Sequence, residues 1–292
     1  MRWSGRQLRS SSSLAQLDKL LVNYLEFQYL EGADLSRANY IAAAVMYMRP
    51  ETRTMAGLPR AQQSLRGWRR LCPPRARMPI PYEVVCRLVE VAAREKQAEI
   101  GLLLLLSFFL YLRPSEPYRI RVSDIISPVA SGGRAFQHHA VLLHPLEEGV
   151  PSKTKQWDEM LLLDLPHQSL LGPCLERVLR LSQRPSTDLA FTVSKEQVSA
   201  FLEQRWTELG LTPLGLPHLY RVRHGGASRD AAGGLRELSG IQSRGRWQTM
   251  KSVKTYEKGG RLQQLFKSLS PSVQRQCLGA TSSIVRICQS LR

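Results

Sequence analysis

From Ile100 to Leu112 the chain runs through thirteen residues without a charge, interrupted only by Ser107. A stretch this apolar on every side must be buried on every side, yet it falls short of the roughly 20 residues needed to cross a bilayer. It is expected as a core helix of a folded domain, and no membrane partner is expected. With 292 residues the chain can wrap such a helix and still hold a second, smaller domain.

The boundary between the two is marked by chemistry. Leu71 to Pro81 holds four prolines and two arginines, so it cannot continue a helix and reads as a stiff, basic linker. Before it, Leu14 to Trp68 carries helical periodicity, with Leu17, Leu20, Leu21 and Tyr24 on one face and Tyr40, Ile41, Ala44, Val45 and Met48 on another. This predicts a small helical domain over residues 1–75. After it, helices are expected over Tyr82 to Arg94 and Gln97 to Leu112, then a strand-rich stretch from Ile120 to Leu165. Short strands are expected at Ala140 to His144 and Met160 to Leu165, with helices to the end. The fold class is therefore α+β, mainly helical with a small antiparallel sheet.

Lys plus Arg number 41 against 24 Asp plus Glu, a formal charge of +17, and the excess is clustered. Thr52 to Tyr82 contains seven arginines and no acid, among them Arg66, Arg69, Arg70, Arg75 and Arg77, the candidates for phosphate contact. A surface of this kind fits nucleic acid, where neutralised phosphates release counterions. The acid-free first seventeen residues read either as a basic arm on DNA or as an organelle transit peptide. Five scattered cysteines give no disulfide framework and no zinc spacing, so an intracellular setting is expected, in the nucleus if the source is eukaryotic, and no metal or other cofactor.

The candidate chemistry begins where the apolar run ends. Arg113-Pro114-Ser115-Glu116 places a carboxylate three residues after an arginine, where it can orient the guanidinium and leave donors for phosphate oxygens. Ser152-Lys153-Thr154-Lys155 offers two lysines, which on an extended strand would share a face. Further on come Tyr220-Arg221-Val222-Arg223-His224-Gly225-Gly226-Ala227, then Gly245-Arg246-Trp247, then Tyr256, nine residues past the tryptophan.

In order and spacing these elements resemble the catalytic domain of the tyrosine recombinases and phage-type integrases, over roughly Met78 to Leu265. The resemblance implies Arg113 with supporting Glu116 as the first box, Lys153 as the hairpin lysine with Lys155 second, Arg223 as the second arginine, Trp247 at the His/Trp position and Tyr256 as nucleophile toward double-stranded DNA. It implies a catalytic domain over 78–270. The N-terminal block is similar in kind to the family's helical core-binding (SAM-like) domain. The tail, 271–292, would be a helix that docks on a neighbouring subunit in a homo-oligomer on DNA, with packing on its own domain as the alternative.

The sequence departs from the family at one catalytic position. Three residues before Arg223 stands Tyr220, where the family usually has His. His218 and His224 lie close by, and His218-x-x-Arg221 is itself a literal His-x-x-Arg. That register sets the arginine 26 rather than 24 residues before Trp247 and loses the match of Arg223 to Ala227. A phenol can donate to a phosphate oxygen but carries protons poorly near neutral pH.

Two function classes follow. One is an enzyme that cleaves and rejoins DNA through a 3′-phosphotyrosyl intermediate without metal or ATP, a site-specific recombinase or integrase of mobile-element type. The other is a DNA-binding protein of recombinase ancestry that no longer cuts. A type IB topoisomerase fits the first box less well.

Overall fold

Ser13 fixes where the first helix starts. Its hydroxyl accepts from Gln16 N while the Gln16 side chain accepts from Ser13 N, a reciprocal cap that satisfies two otherwise orphaned donors. The computed structural model describes residues 13–54, 57–72, 78–152, 155–254, 256 and 259–291. The chain divides into two units, Met1–Ala76 and Arg77–Arg292.

In the first unit, α1 (Leu14–Leu30) is followed by α2 (Leu35–Met48) and α3 (Pro59–Leu71). Asp34 caps α2 through Ser36 N at 2.6 Å. No side chain of its own caps α3, and buried Asp18 of α1 does so instead, accepting from Arg60 N at 3.0 Å and Ala61 N at 2.9 Å. Helix donors thus satisfy a carboxylate that would be costly to bury alone. Leu17, Leu21, Leu25, Ala38, Ala42, Leu58, Ala61 and Trp68 form the core. The expected face of α2 holds at Ile41 and Val45, which pack against this core, and is corrected at Tyr40, Ala44 and Met48. These are exposed and Ala38 and Ala42 are buried, because the small side chains set the line of approach to α1 and α3.

The second unit contains α4 (Tyr82–Arg94), α5 (Ala98–Phe109), β1 (Ile125–Ile126), β2 (Ala140–Leu143), β3 (Glu159–Leu162), α6 (Leu171–Leu181) and α7 (Lys195–Glu208). It continues with α8 (Leu219–Ala232), α9 (Leu238–Gly245), α10 (Met250–Lys254), α11 (Gly259–Lys267), α12 (Pro271–Ser282) and α13 (Ile284–Ser290). The apolar run is the central helix α5, packed against α4, α6 and α8. Leu103 to Leu106 are fully buried, each such leucine favouring the fold by about 1.5–3 kcal/mol. The helix ends at Phe109 rather than Leu112, and Tyr111 takes a left-handed φ of 49°. Arg113 is therefore presented from a turn beyond the helix, not from its last turn.

The sheet is antiparallel in the order β1-β2-β3, with Val141 paired to Ile125 and to Leu161. Both expected strands are present but end early, at Leu143 and Leu162, and among the described residues three short 3-10 turns interrupt the stretch 120–165. Helix α8 lies against α5 with its glycines at the contact. A Cβ on Gly226 would sit 1.9 Å from the Phe108 carbonyl oxygen, so only hydrogen allows this approach.

The C-terminal segment differs from the single docking helix that the resemblance implies. It forms two helices, and Cys277, Ala280, Ile284, Ile287, Cys288 and Leu291 belong to the unit's own core. Apolar residues at these positions are buried within the chain instead of being held out for a neighbour. No described helix is long and apolar enough to cross a membrane.

Candidate active site

Glu116 is the anchor. Its carboxylate accepts from Arg113 N at 2.6 Å and from Arg113 Nη1 at 2.8 Å, and also from Arg246 Nη2 at 2.6 Å. His144 Nε2 lies 3.9 Å away. Burial alone would push this carboxyl up, but His144, Arg246 and Arg113 outweigh it and hold the pKa at about 2. Glu116 is thus a permanent anion at neutral pH, and it fixes Arg113, whose side chain keeps partial exposure.

Arg246 is the residue that spacing alone did not reveal. It follows α9 in the left-handed region, φ 53°, a conformation that turns its side chain inward to Glu116 while Trp247 continues the chain. Its guanidinium also reaches Tyr111 O at 3.4 Å and lies 3.6 Å from Glu159. Glu159, at the start of β3, is pushed up by burial, with Arg246 and Arg113 opposing. Glu116, His144 and Glu159 bring ligand atoms within 4.8 Å of one another, a grouping that could hold a metal ion. Arg113 and Arg246 already engage both oxygens of Glu116 and balance the two carboxylates, so the cluster reads as an ion-pair network.

Arg223 is delivered by α8, which His218 caps by accepting from Tyr220 N at 2.9 Å through Nδ1. The Arg223 guanidinium donates to the Tyr111 and Gly245 carbonyls and lies 4.7 Å from the Trp247 ring centre. Burial and the nearby Arg246 lower its pKa to about 10, which still leaves it charged at neutral pH. Its Nε finds no hydrogen-bond acceptor among the described residues. A buried donor left without an acceptor is costly on a charged group.

Tyr256 sits in the turn after α10 and is 4% exposed. Its ring packs on Trp247 at 4.4 Å and on His224 at 4.8 Å, and its hydroxyl is 3.5 Å from His224 Nε2. Tyr220, one turn before His224 on α8, stacks on that imidazole at 4.8 Å. Beneath the site, Arg244 donates to Phe109 O at 2.9 Å and Leu162 O at 2.7 Å, and Tyr111 donates to Asp230. These bonds pin α5, β3, α8 and α9, the elements that position the functional side chains.

The structure brings Arg113, Glu116, Arg223, Trp247, Tyr256, His224 and Tyr220 into one contiguous network. Arg221 does not join it, since its guanidinium donates to Met78 O at 2.9 Å and Leu216 O at 2.8 Å beside Trp206. His218 of the competing His218-x-x-Arg221 register caps α8. Lys155 is exposed in a turn with φ 58°, its N bonded to Ser152 O at 2.8 Å. Lys155 itself is therefore not on an extended strand, and among the described residues it joins none of the ion pairs around Glu116. Lys153, Arg75 and Arg77 lie outside the described residues. In the first unit, Arg66, Arg69 and Arg70 are exposed along one side of α3, opposite the buried Ala61 and Trp68.

No known family profile matches this sequence, and no curated protein sequence matches it. Among solved structures, the chain is similar to XerA recombinase, at 14% identity over 94% of this chain and 93% of that one, with a TM-score of 0.45. It is also similar to XerH site-specific recombinase bound to palindromic difH substrate in a post-cleavage complex. There the identity is 13% over 92% of this chain and 72% of that one, with a TM-score of 0.50. At such identity the likeness is one of fold.

Proposed function

We propose, taking the tyrosine recombinase fold as the premise, that this chain cleaves and rejoins duplex DNA through a phosphotyrosyl bond at Tyr256. The observation that carries the reading is the unbroken line of contacts from Arg113 through Glu116, Arg246, the Tyr111 carbonyl and Arg223 to Trp247 and Tyr256. Attack on a phosphodiester builds charge on the nonbridging oxygens. Arg113, Arg223 and the Trp247 indole are donors of the type that stabilises it, and one such donor is worth about 10²–10³ in rate. The Tyr256 oxygen displaces the 5′ oxygen and leaves a 3′-phosphotyrosyl link, which the freed 5′ hydroxyl reverses on rejoining. The link conserves the bond, so neither ATP nor a metal is required.

In this reading residues 78–270 form the catalytic domain. Residues 1–75 form the DNA-clamping domain, with Arg66, Arg69, Arg70, Arg75 and Arg77 on the phosphates. The enzyme works inside the cell as a homo-oligomer on DNA, as a site-specific recombinase or integrase of mobile-element type. The test is to incubate the chain with a diverse pool of duplex DNA, quench in denaturant and recover protein-linked DNA. Wild type yields an adduct and Tyr256→Phe yields none. An adduct that survives the substitution overturns the assignment.

The rival reading, a DNA-binding protein that no longer cuts, draws on Tyr220 in the histidine position and on the burial of Tyr256. DNA binding without an adduct from any sequence in the pool selects it.

A further inference from the structure

We propose that His224, not Tyr220, takes the proton from the Tyr256 hydroxyl during strand cleavage. The assignment rests on the cleavage reading above and names the base that reading lacks.

Position supplies the first argument. Tyr220 and His224 are one turn apart on α8, so they share a face, and the His224 ring packs against the Tyr256 ring at 4.8 Å and 66°. Its Nε2 is 3.5 Å from the Tyr256 oxygen. That is long for a finished hydrogen bond, but catalytic hydrogen bonds commonly tighten only when substrate binds. The same imidazole also packs against Tyr220, with ring centres 4.8 Å apart. His224 thus touches both phenols.

Chemistry supplies the second. An accepting base must be unprotonated at working pH. An ordinary phenol, with a pKa of about 10, is about one part in a thousand phenolate at pH 7, whereas an ordinary imidazole, with a pKa of about 6.5, is mostly neutral. A histidine one residue beyond Arg223 thus brings to Tyr256 a side chain of the type that most often takes a proton in catalysis.

The step balances. The Tyr256 O–H bond breaks and its proton moves to His224 Nε2, while the oxygen lone pair forms the bond to phosphorus. The bond from phosphorus to the 5′ oxygen breaks, its electron pair stays on that oxygen, and a proton from water or from Lys153 or Lys155 completes the 5′ hydroxyl. On rejoining, the imidazolium returns its proton to Tyr256.

Two measurements on the full chain test this. On DNA, with a target recovered from the trapping pool, His224→Ala is expected to lower the rate of adduct formation by about 10²–10⁴, and added imidazole restores it. His224→Gln keeps size and hydrogen bonding but cannot take a proton, and it is expected to be as slow. Tyr220→Phe keeps the ring beside His224 and removes only the hydroxyl, and it is expected to lose less rate than His224→Gln. A severe loss in Tyr220→Phe with His224→Gln near wild type overturns the proposal, as does a His224→Ala loss that imidazole leaves unchanged. Without DNA, nitrogen NMR of ¹⁵N-histidine protein is expected to show His224 Nε2 unprotonated at neutral pH and shifted by Tyr256→Phe. A protonated Nε2, or one indifferent to that substitution, overturns the proposal by itself. If wild type forms no adduct, the proton-transfer role falls with the cleavage reading, and an intact Nε2 response locates the failure in that reading and not in the geometry.

Discussion

Replacing Glu116 with Gln isolates the charge of the anchor. Glutamine keeps the shape and one acceptor oxygen, so it stands for the permanently neutral form. Burial disfavours the carboxylate, but His144, Arg246 and Arg113 more than reverse this and bring the pKa from 4.5 to about 2. At about 1.4 kcal/mol per pH unit the difference amounts to about 3 kcal/mol. The side chain is 3% exposed, so solvent screening takes little away. Because the folded value lies below the unfolded one, the contribution is complete above about pH 4.5 and is lost as pH falls toward 2. Urea unfolding of wild type and Glu116→Gln, followed by circular dichroism from pH 3 to pH 7, should show a stability gap of about 3 kcal/mol at pH 7 that shrinks to about 1.4 kcal/mol at pH 3. A gap of constant size across that range would mean that Glu116 stabilises by shape and not by charge, and would refute the reasoning.

Other consequences follow from the same packing and charge. Gly226→Ala forces a methyl to within 1.9 Å of the Phe108 carbonyl oxygen. It should destabilise by about 1–3 kcal/mol or more, read as a lower thermal midpoint, and an unchanged midpoint would show that α8 and α5 can move apart freely. Substituting Arg66, Arg69 and Arg70 together by Gln should weaken duplex binding evenly across sequences. The slope of log affinity against log salt should flatten by about 0.9 per lost phosphate contact. A loss confined to one sequence would instead mark them as base readers.

What the sequence made legible was chemistry at short range and burial at long runs. The charge-free stretch from Ile100 to Leu112 had to be the central helix, and the three-residue spacing of Arg113 and Glu116 suits the ion pair that the structure contains. Arg246 escaped because nothing in Gly245-Arg246-Trp247 says that the chain turns left-handed there and aims the arginine inward. Part of the face of α2 was misjudged because apolar periodicity ranks Tyr40 above Ala38, whereas close helix approach favours the smaller side chain. The tail was read from the family's habit, and only the fold could show Cys277, Ile284 and Cys288 filling the chain's own core. The contact between His224 and Tyr256 joins two segments 32 residues apart, a distance at which spacing carries no information about proximity.

The central claim is that one oxygen, that of Tyr256, becomes bonded to DNA. Trapped adduct can be stripped with nuclease, digested with trypsin and analysed by mass spectrometry, because cleavage after Lys254 and Lys258 releases the four residues Thr255 to Lys258. The account predicts a nucleotide carried through its 3′ phosphate on Tyr256 in that peptide. A nucleotide on any other side chain, or the unmodified peptide as the sole product from protein that has nicked DNA, would contradict it.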